Sequence, residues 1–553
     1  MKLIYVTSIF FSLISFSLYK LFSHRYLSNL PSVFYLLSTV IPIIFFLHKA
    51  VFTNFTGKHQ IKPFLFLIFL TIFFHSLNLE KYPFVSIGDE IRDGGLDAFS
   101  IENNLSTDIF SYGRYNAHSL IIPGFNSLFI PIFGNSNLTY RFPSALIGSL
   151  SVIILYLFLS LNINYKVAFW SSFFLLTNHL HLFYSRTETV VIFNSLLTVL
   201  LIIFFYLYFL KKSLSDTYLY ILAILIGFCF NFHASIKTVA LTIIPLIIFN
   251  LYVHKYSFFD SIKKILTMGL FIVIGFGPTI LNSPPHIFLH TTRISNELNL
   301  TRLTSSFLQS LKVVAFSPTT SHYFDHKPIL SPIFLICFLI GLAYLSYKKF
   351  YQTYPLIYFL LVIPFFNSAV TDMVNADHRL LPLLLILSIY IGVGINIIIS
   401  KFKKNVVKIT VSVIFFVYLS YHGITFFTKQ KANINDYNNL RQEKDYLSMH
   451  LIYLLKNNIK FFPNNLCVLA SPYNSQNYNY LHYQEQRQYF LPNYQIRFES
   501  NHNVSDNQLF IYQDNCPQTV DYAHLGSQHV DCSYQENKLF CPIGFKDKLS
   551  IYF

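Results

Sequence analysis

Residues 119–133, SLIIPGFNSLFIPIF, decide the fold. The run is apolar enough to enter a bilayer, but it is short and carries Pro123, Gly124 and Pro131. A helix needs roughly 20 apolar residues to cross the hydrocarbon core. Whether this run crosses sets the side of the membrane on which every later loop falls.

Longer apolar runs lie on both sides of it. Three precede it, at about 3–22, 31–50 and 61–78. Ten follow, at about 142–161, 167–184, 188–210, 217–233, 237–253, 265–282, 329–347, 353–370, 380–400 and 406–427. That makes about thirteen candidate spans. With 119–133 left out of the count and the N-terminus inside, the inner connectors collect Lys49, Lys58, Lys62, Lys166, Lys211, Lys212, Lys255, Lys263, Lys264, Lys348, Lys349, Lys401, Lys403, Lys404 and Lys408. Few acids join them, notably Asp216 and Asp260. The long segments 79–141, 283–328 and 428–553 fall on the other face with most of the acidic residues. Lysine in short cytoplasmic loops is the expected bias. Counting 119–133 as a span would put those lysines outside, so we read it as an interfacial or re-entrant helix on the outer face. The first run follows Lys2, lacks a small-residue cleavage site and reads as an uncleaved anchor.

Composition agrees. Of 553 residues, 53% are hydrophobic and 12% charged, about half the charged share of a soluble domain. The net charge of +15 comes from 40 Lys+Arg against 25 Asp+Glu. Its placement in short connectors explains it without nucleic acid. No glycine-rich nucleotide loop and no soluble nucleotide-binding unit is evident, which argues against a nucleotide-sugar transferase and against an ATP-driven pump.

The tail from about 430 is polar and rich in Asn, Gln and Tyr. KDYLSMHLIYLLKNN (444–458) has helical periodicity, and LCVLA, YQIRFES and QLFIYQ read as short strands. The expected architecture is an all-α polytopic membrane protein of about thirteen helices with a small C-terminal α/β extracytoplasmic domain. The first unit is residues 1–429, with outer loops 79–141 and 283–328, and the second is 430–553. Cys467, Cys516, Cys532 and Cys541 lie in the tail, and an even set in a polar domain suggests disulfides in an oxidising compartment, with three pairings open. Cys229 and Cys337 lie inside apolar runs and read as buried thiols.

The strongest chemical signal is SIGDEIRDGG, residues 86–95, in the first long outer loop. Asp89 and Glu90 follow a span closely. A carboxylate pair there can act as a base toward a hydroxyl, hold an acceptor or coordinate a divalent metal ion. A solvated acidic loop is the plainer alternative, and the pair alone is a weak motif. Arg186 and Glu188, in FYSRTETVVIFNSLL (183–197), sit where one span leaves and the next re-enters. His233 and Lys237 flank another outer turn, His378 and Arg379 head a late span, and Arg141 heads a further one. Taken singly, such cations are ordinary snorkelling side chains. Together they are expected to form a pocket for a lipid-linked phosphate, where cations stabilise a leaving group. His286 with His290, and His322 with His326, have i,i+4 spacing, but in a proline-containing loop, so metal binding is a minor alternative there. No cofactor is required by the pattern, and no metal site is assigned. Sequons at Asn104, Asn137, Asn299 and Asn503 matter only in a host that glycosylates.

The order of these features resembles a known family. The Asp-Glu pair in the first outer loop is followed by the proline-containing run, then by IFGNSNLTYRFPSALIGSLSVIILYLF, then by HLHLFYSRTE. This is similar to the GT-C membrane glycosyltransferases, specifically the dolichyl-phosphate-mannose–protein mannosyltransferase-like proteins (family 39) and the related bacterial lipid A aminoarabinose transferases. The resemblance spans roughly residues 60–400 and is clearest at 86–210 and 375–392. It implies inverting transfer of a sugar from a polyprenyl-phosphate donor to a protein or glycolipid acceptor at the outer face of the cell membrane. Asp89 would be the base and Glu90 its support. Arg186 and Glu188 match a Ser-Arg-x-x-Glu-like phrase, with the glutamate one residue early, so Glu188 is carried over only as a supporting residue. His378 and Arg379 would contact the donor phosphate, as Arg141, His233 and Lys237 are also expected to do. The chain departs from better-known members in two extra N-terminal spans and in its tail. A transporter or flippase of lipid-linked glycans is the alternative, although no related halves are visible; a scaffold presenting the tail is a third.

Overall fold

The computed structural model describes residues 2–22, 29–51, 58–80, 97–102, 108–112, 118–133, 137–187, 190–210, 215–253, 256–282, 299–317, 328–348, 350–366 and 376–432, and five strand segments in the tail. Each of the thirteen apolar runs holds a helix, because a backbone in hydrocarbon must satisfy its own hydrogen bonds. In chain order the helices before the pivotal run are α1 (Lys2–Phe22), α2 (Asn29–Val51), α3 (Lys58–Ser76) and the short α4 (Asp97–Glu102). The pivotal run itself is α5 (Ile121–Ser127) and α6 (Ile130–Phe133). Then come α7 (Asn137–Asn162), α8 (Tyr165–Thr177), α9 (His179–Tyr184), α10 (Val191–Leu210), α11 (Ser215–Cys229), α12 (Ala234–Val253), α13 (Phe258–Phe276) and α14 (Thr279–Asn282). The last are α15 (Leu300–Ala315), α16 (Pro332–Lys348), α17 (Phe350–Pro364), α18 (Asp377–Lys401) and α19 (Asn405–Ala432).

Among the described residues, six helices are long and apolar enough to cross a membrane: Leu30–Val51, Leu138–Asn162, Val191–Phe209, Ala234–Val253, His378–Lys401 and Asn405–Phe427. Shorter apolar helices accompany them, including Ile4–Lys20, Gln60–Ser76 and Pro332–Lys348. The chain is a multi-pass membrane protein. The pivotal run is not one continuous helix. Ile121, Ile122, Pro123 and Asn126 are buried against the protein, while Leu128 and Ile132 are exposed. An element apolar on both faces but too short to cross suits the interface.

Two apolar runs are broken where continuous helices were expected. The run 167–184 splits at Asn178, whose backbone is extended and whose Oδ1 accepts the N–H of Leu180 to cap α9. The run 265–282 splits at Gly277, which has φ 66°. The ring of Tyr35 occupies the place where a Cβ would stand, so only glycine fits. A third difference is α15, inside a segment read as a loop. Asn299 caps it through the N–H of Arg302 at 2.8 Å.

Close packing positions the bundle. A Cβ at Gly227 of α11 would overlap the carbonyl oxygen of Ile272 in α13, and one at Gly275 of α13 would overlap that of Ile224. Gly341 of α16 and Gly394 of α18 face Tyr390 and Cys337 in the same reciprocal way. Small residues at mutual contacts let helix backbones approach closely in a bilayer. The most buried surface belongs to α7, α8, α10, α11 and the first half of α18.

The tail contains a five-stranded sheet: β1 (Asn465–Ala470), β2 (Gln495–Ser500), β3 (Gln508–Gln513), β4 (His529–Asp531) and β5 (Ser550–Tyr552), in the order β2-β1-β3-β5-β4. The first three coincide with the stretches read as strands. β1 is parallel to β2 and antiparallel to β3, with Cys467 opposite Arg497 and Tyr512. Its apolar run suits a strand with neighbours on both edges. The helix expected at 444–458, and Cys516, Cys532 and Cys541, lie outside the described residues.

Candidate functional site

The site is built where α3, α7, α9, α11, α12 and α18 expose their ends on the side of the pivotal run. Helix α3 ends at Ser76, and Asn78 follows in the left-handed region at φ 50°, a position where asparagine terminates helices. The carbonyls released there are taken by two arginines. Arg186, in the turn after α9, donates from Nη1 to Phe74 O at 2.8 Å and His75 O at 2.9 Å, and from Nη2 to Leu77 O at 2.5 Å. Its guanidinium also lies 4.9 Å from the centre of the Phe427 ring of α19. Arg141, on the first turns of α7, donates from Nη1 to Leu79 O at 3.2 Å and Glu80 O at 3.3 Å. Cations at a helix C-terminus meet the negative end of its dipole. Burial first, and then the charge of Arg141, pull Arg186 down from the ordinary arginine value to about 9. Around them, His75 Nδ1 pairs with Ser149 Oγ at 2.8 Å, and its ring lies 5.7 Å from that of His181.

A second group forms between α12 and α18. His233 immediately precedes α12, and its Nδ1 accepts the backbone N–H of Ser235 at 3.3 Å and faces Ser235 Oγ at 3.0 Å. An accepting Nδ1 puts the proton on Nε2, so this ring is a neutral donor at its outward nitrogen. Asn194 of α10 holds the same Ser235 hydroxyl at 2.7 Å. Lys237 is one helical turn beyond His233. The His378 ring, at the head of α18, stands edge-on to His233 with centroids 5.4 Å apart. Arg379 follows it. Arg141 and Arg186 have no exposed surface, and Lys237, Arg379 and His233 keep 2%, 8% and 9% of theirs. Arg141, Arg186, Lys237 and Arg379 are buried in protein, where a snorkelling cation would stand exposed.

The six expected cationic or histidine residues therefore fall into two sets. The rings of His233 and His378 meet, with Lys237 one turn along α12 and Arg379 next in sequence on α18. Arg141 and Arg186 are instead turned onto the backbone at the end of α3, which leads directly into the segment holding Asp89 and Glu90. Those two carboxylates, and Glu188, lie outside the described residues, as do His286, His290, His322 and His326. Among the described residues no group of three or more His, Cys, Asp or Glu side chains gathers as a metal site.

Two acidic residues went unread in the sequence. Asp97, at the start of α4, is buried. Asp108 accepts the N–H of Phe110 on Oδ1 at 2.9 Å and the hydroxyl of Tyr19 on Oδ2 at 2.8 Å. Tyr35 of α2 donates to Gly275 O at 2.7 Å and accepts from Asn231 at 3.0 Å. Helices α1 and α2 are thus tied to the segment around Asp108, to the end of α13 and to the turn before α12.

Residues 117–281 match the model of a family described as dolichyl-phosphate-mannose-protein mannosyltransferase. Among solved structures, the chain is similar to a crystal structure of ArnT from Cupriavidus metallidurans bound to undecaprenyl phosphate, with a TM-score of 0.46 and 13% identity over 73% of each chain. The apo form of the same protein gives a TM-score of 0.44 and 13% identity, over 71% of this chain and 72% of that one. No curated protein matches by sequence. Over residues 117–281, which include Arg141, Arg186, His233 and Lys237, this chain is similar to the dolichyl-phosphate-mannose-protein mannosyltransferase family.

Proposed function

We propose that this protein transfers a sugar from a polyprenyl-phosphate donor to an acceptor hydroxyl at the outer membrane face, with inversion. The observation that carries the reading is the meeting of the His233 and His378 rings at the heads of α12 and α18, with the buried Lys237 and Arg379 on the same two helix ends. That combination suits an anion attached to a lipid: the isoprenoid chain lies along the helices and the phosphate among the cations. The family match over 117–281 supports the same chemistry.

In this reading Asp89 takes the proton from the acceptor hydroxyl. The acceptor oxygen bonds to the anomeric carbon from the face opposite the phosphate, and the carbon–oxygen bond to phosphate breaks with its electron pair on the departing phosphate. Lys237, Arg379 and the His233 and His378 rings stabilise the charge that develops there. Glu90 supports Asp89. Arg141 and Arg186 act as positioning residues: by gripping the carbonyls of residues 74–80 they set where the acidic loop begins. The division near residue 430 and the outer placement of the tail belong to this proposal, with the N-terminus inside.

The test uses the full protein in lipid nanodiscs with a panel of radiolabelled polyprenyl-phosphate sugars and membrane extract as acceptor. Wild type should move label from the lipid, and Asp89→Asn should lose about 10²- to 10⁴-fold in turnover with normal expression. Label crossing the bilayer unchanged, equally in wild type and variant, would instead mark a transporter.

A further inference from the structure

Far from the site just described, the opposite ends of α7, α8, α10, α16, α17 and α18 enclose a cavity of about 320 Å³, within the range of roughly 300–1,000 Å³ typical of ligand pockets. Along α18, Asn396 is about 25 Å from Arg379 at ~1.5 Å rise per residue, so the two sites share helices but not space. Its deep wall is apolar, made by Leu159, Ile202, Phe205, Phe359, Ile389 and Val393.

The lining changes character in one direction. Along α18 it runs from Ile389 and Val393 to Asn396 and Ser400, and the next residue is Lys401. Along α7 it runs from Phe158 and Leu159 to Asn162, then to Asn164, which caps α8 by accepting the N–H of Val167. Lys166 stands between those two. On α16 the lining residues Tyr344 and Leu345 are followed within one turn by Lys348. Lys166, Lys348 and Lys401 are all exposed. On α7–α8 and on α18 an apolar interior gives way to polar lining residues, and exposed lysines follow them there and on α16.

We propose that this cavity binds one acyl chain of an anionic phospholipid from the lysine-rich leaflet, with its phosphate headgroup among Lys166, Lys348 and Lys401. The apolar wall receives the chain, the Asn and Ser side chains meet the glycerol and ester oxygens, and the lysines meet the headgroup charge. Cations at the membrane surface attract acidic lipids at the level where these three stand. The site makes no use of the outer cation group, so it stands or falls independently of the proposed reaction.

The test is photo-labelling of the full protein in nanodiscs with phospholipids carrying a diazirine midway along one acyl chain, followed by peptide mapping. Phosphatidylglycerol is compared with phosphatidylcholine of the same chains. Adducts are expected on Ile202, Phe205, Ile389 or Val393 with the anionic lipid. They should weaken about fivefold for each lysine that engages the headgroup in Lys166→Gln, Lys348→Gln and Lys401→Gln. These are surface changes, so the variants keep the fold; Val393→Trp, which fills the cavity, should abolish the same adducts. Adducts confined to outward apolar residues such as Ile409 and Val413 of α19 would overturn the proposal. So would equal labelling of the cavity by both lipids, or preferential labelling by a diazirine-bearing polyprenyl phosphate.

Discussion

The two ends of the helix bundle carry positive charge in opposite ways. At the end next to the pivotal run, Arg141, Arg186, Lys237 and Arg379 are buried in protein. At the other end, Lys166, Lys348, Lys401, Lys403 and Lys404 stand in solvent. Exposed lysines need no partner, and they serve topology and the lipid surface. Buried cations must find acceptors, so they reveal where the fold provides negative charge. At Arg141 and Arg186 that charge is the carbonyl end of α3; at the α12–α18 group the proposed donor phosphate would add to it.

That contrast yields graded expectations. The largest is at Arg186. Arg186→Met removes three hydrogen bonds from a charged group and leaves carbonyls at the end of α3 without donors, a loss on the order of 3–5 kcal/mol. It should appear as a fall in thermal unfolding temperature, and Arg186→Lys should recover only part of it, because an ammonium cannot fork across three carbonyls. Variant that stays folded at low temperature should still bind polyprenyl phosphate normally. A selective loss of that binding would return Arg186 to the phosphate site.

Lys237→Met should instead act on binding. Phosphate affinity should fall about 10- to 100-fold, the worth of one charged hydrogen bond, in a variant that still folds. Thermal unfolding and ligand binding measured on the same preparation separate a loss of fold from a loss of affinity. Next in size is Tyr19→Phe, which deprives Asp108 of its hydroxyl donor. About 1.5 kcal/mol of stability should be lost, visible as a lower unfolding temperature with unchanged donor affinity. Smallest are Lys166→Gln and Lys401→Gln, each within about 0.5 kcal/mol of wild type in stability and without effect on turnover. A turnover defect there would erase the distinction between the two ends.

Much of the bundle was legible because a bilayer imposes long apolar runs, and each of those runs holds a helix. The breaks inside two runs were not legible. Asn178 and Gly277 lie within apolar stretches, and their effect depends on a local cap and on the approach of Tyr35. The α15 helix was missed because its Ser and Thr content reads as loop, although Asn299 followed by Arg302 contains its cap. In the site, cations and histidines at the ends of helices were visible as an unusual pattern, and of these the rings of His233 and His378 meet. The partners of Arg141 and Arg186 were not visible, since backbone carbonyls have no signature in sequence. Nor was the pairing of Tyr19 with Asp108, which joins residues 89 positions apart.

Equilibrium binding of radiolabelled polyprenyl phosphate to the nanodisc protein decides whether the α12–α18 group holds the donor, with wild type, Lys237→Met and Lys401→Gln measured side by side. Lys237→Met should weaken binding about tenfold or more, and Lys401→Gln should match wild type. Unchanged affinity in a folded Lys237→Met protein would contradict a donor site there.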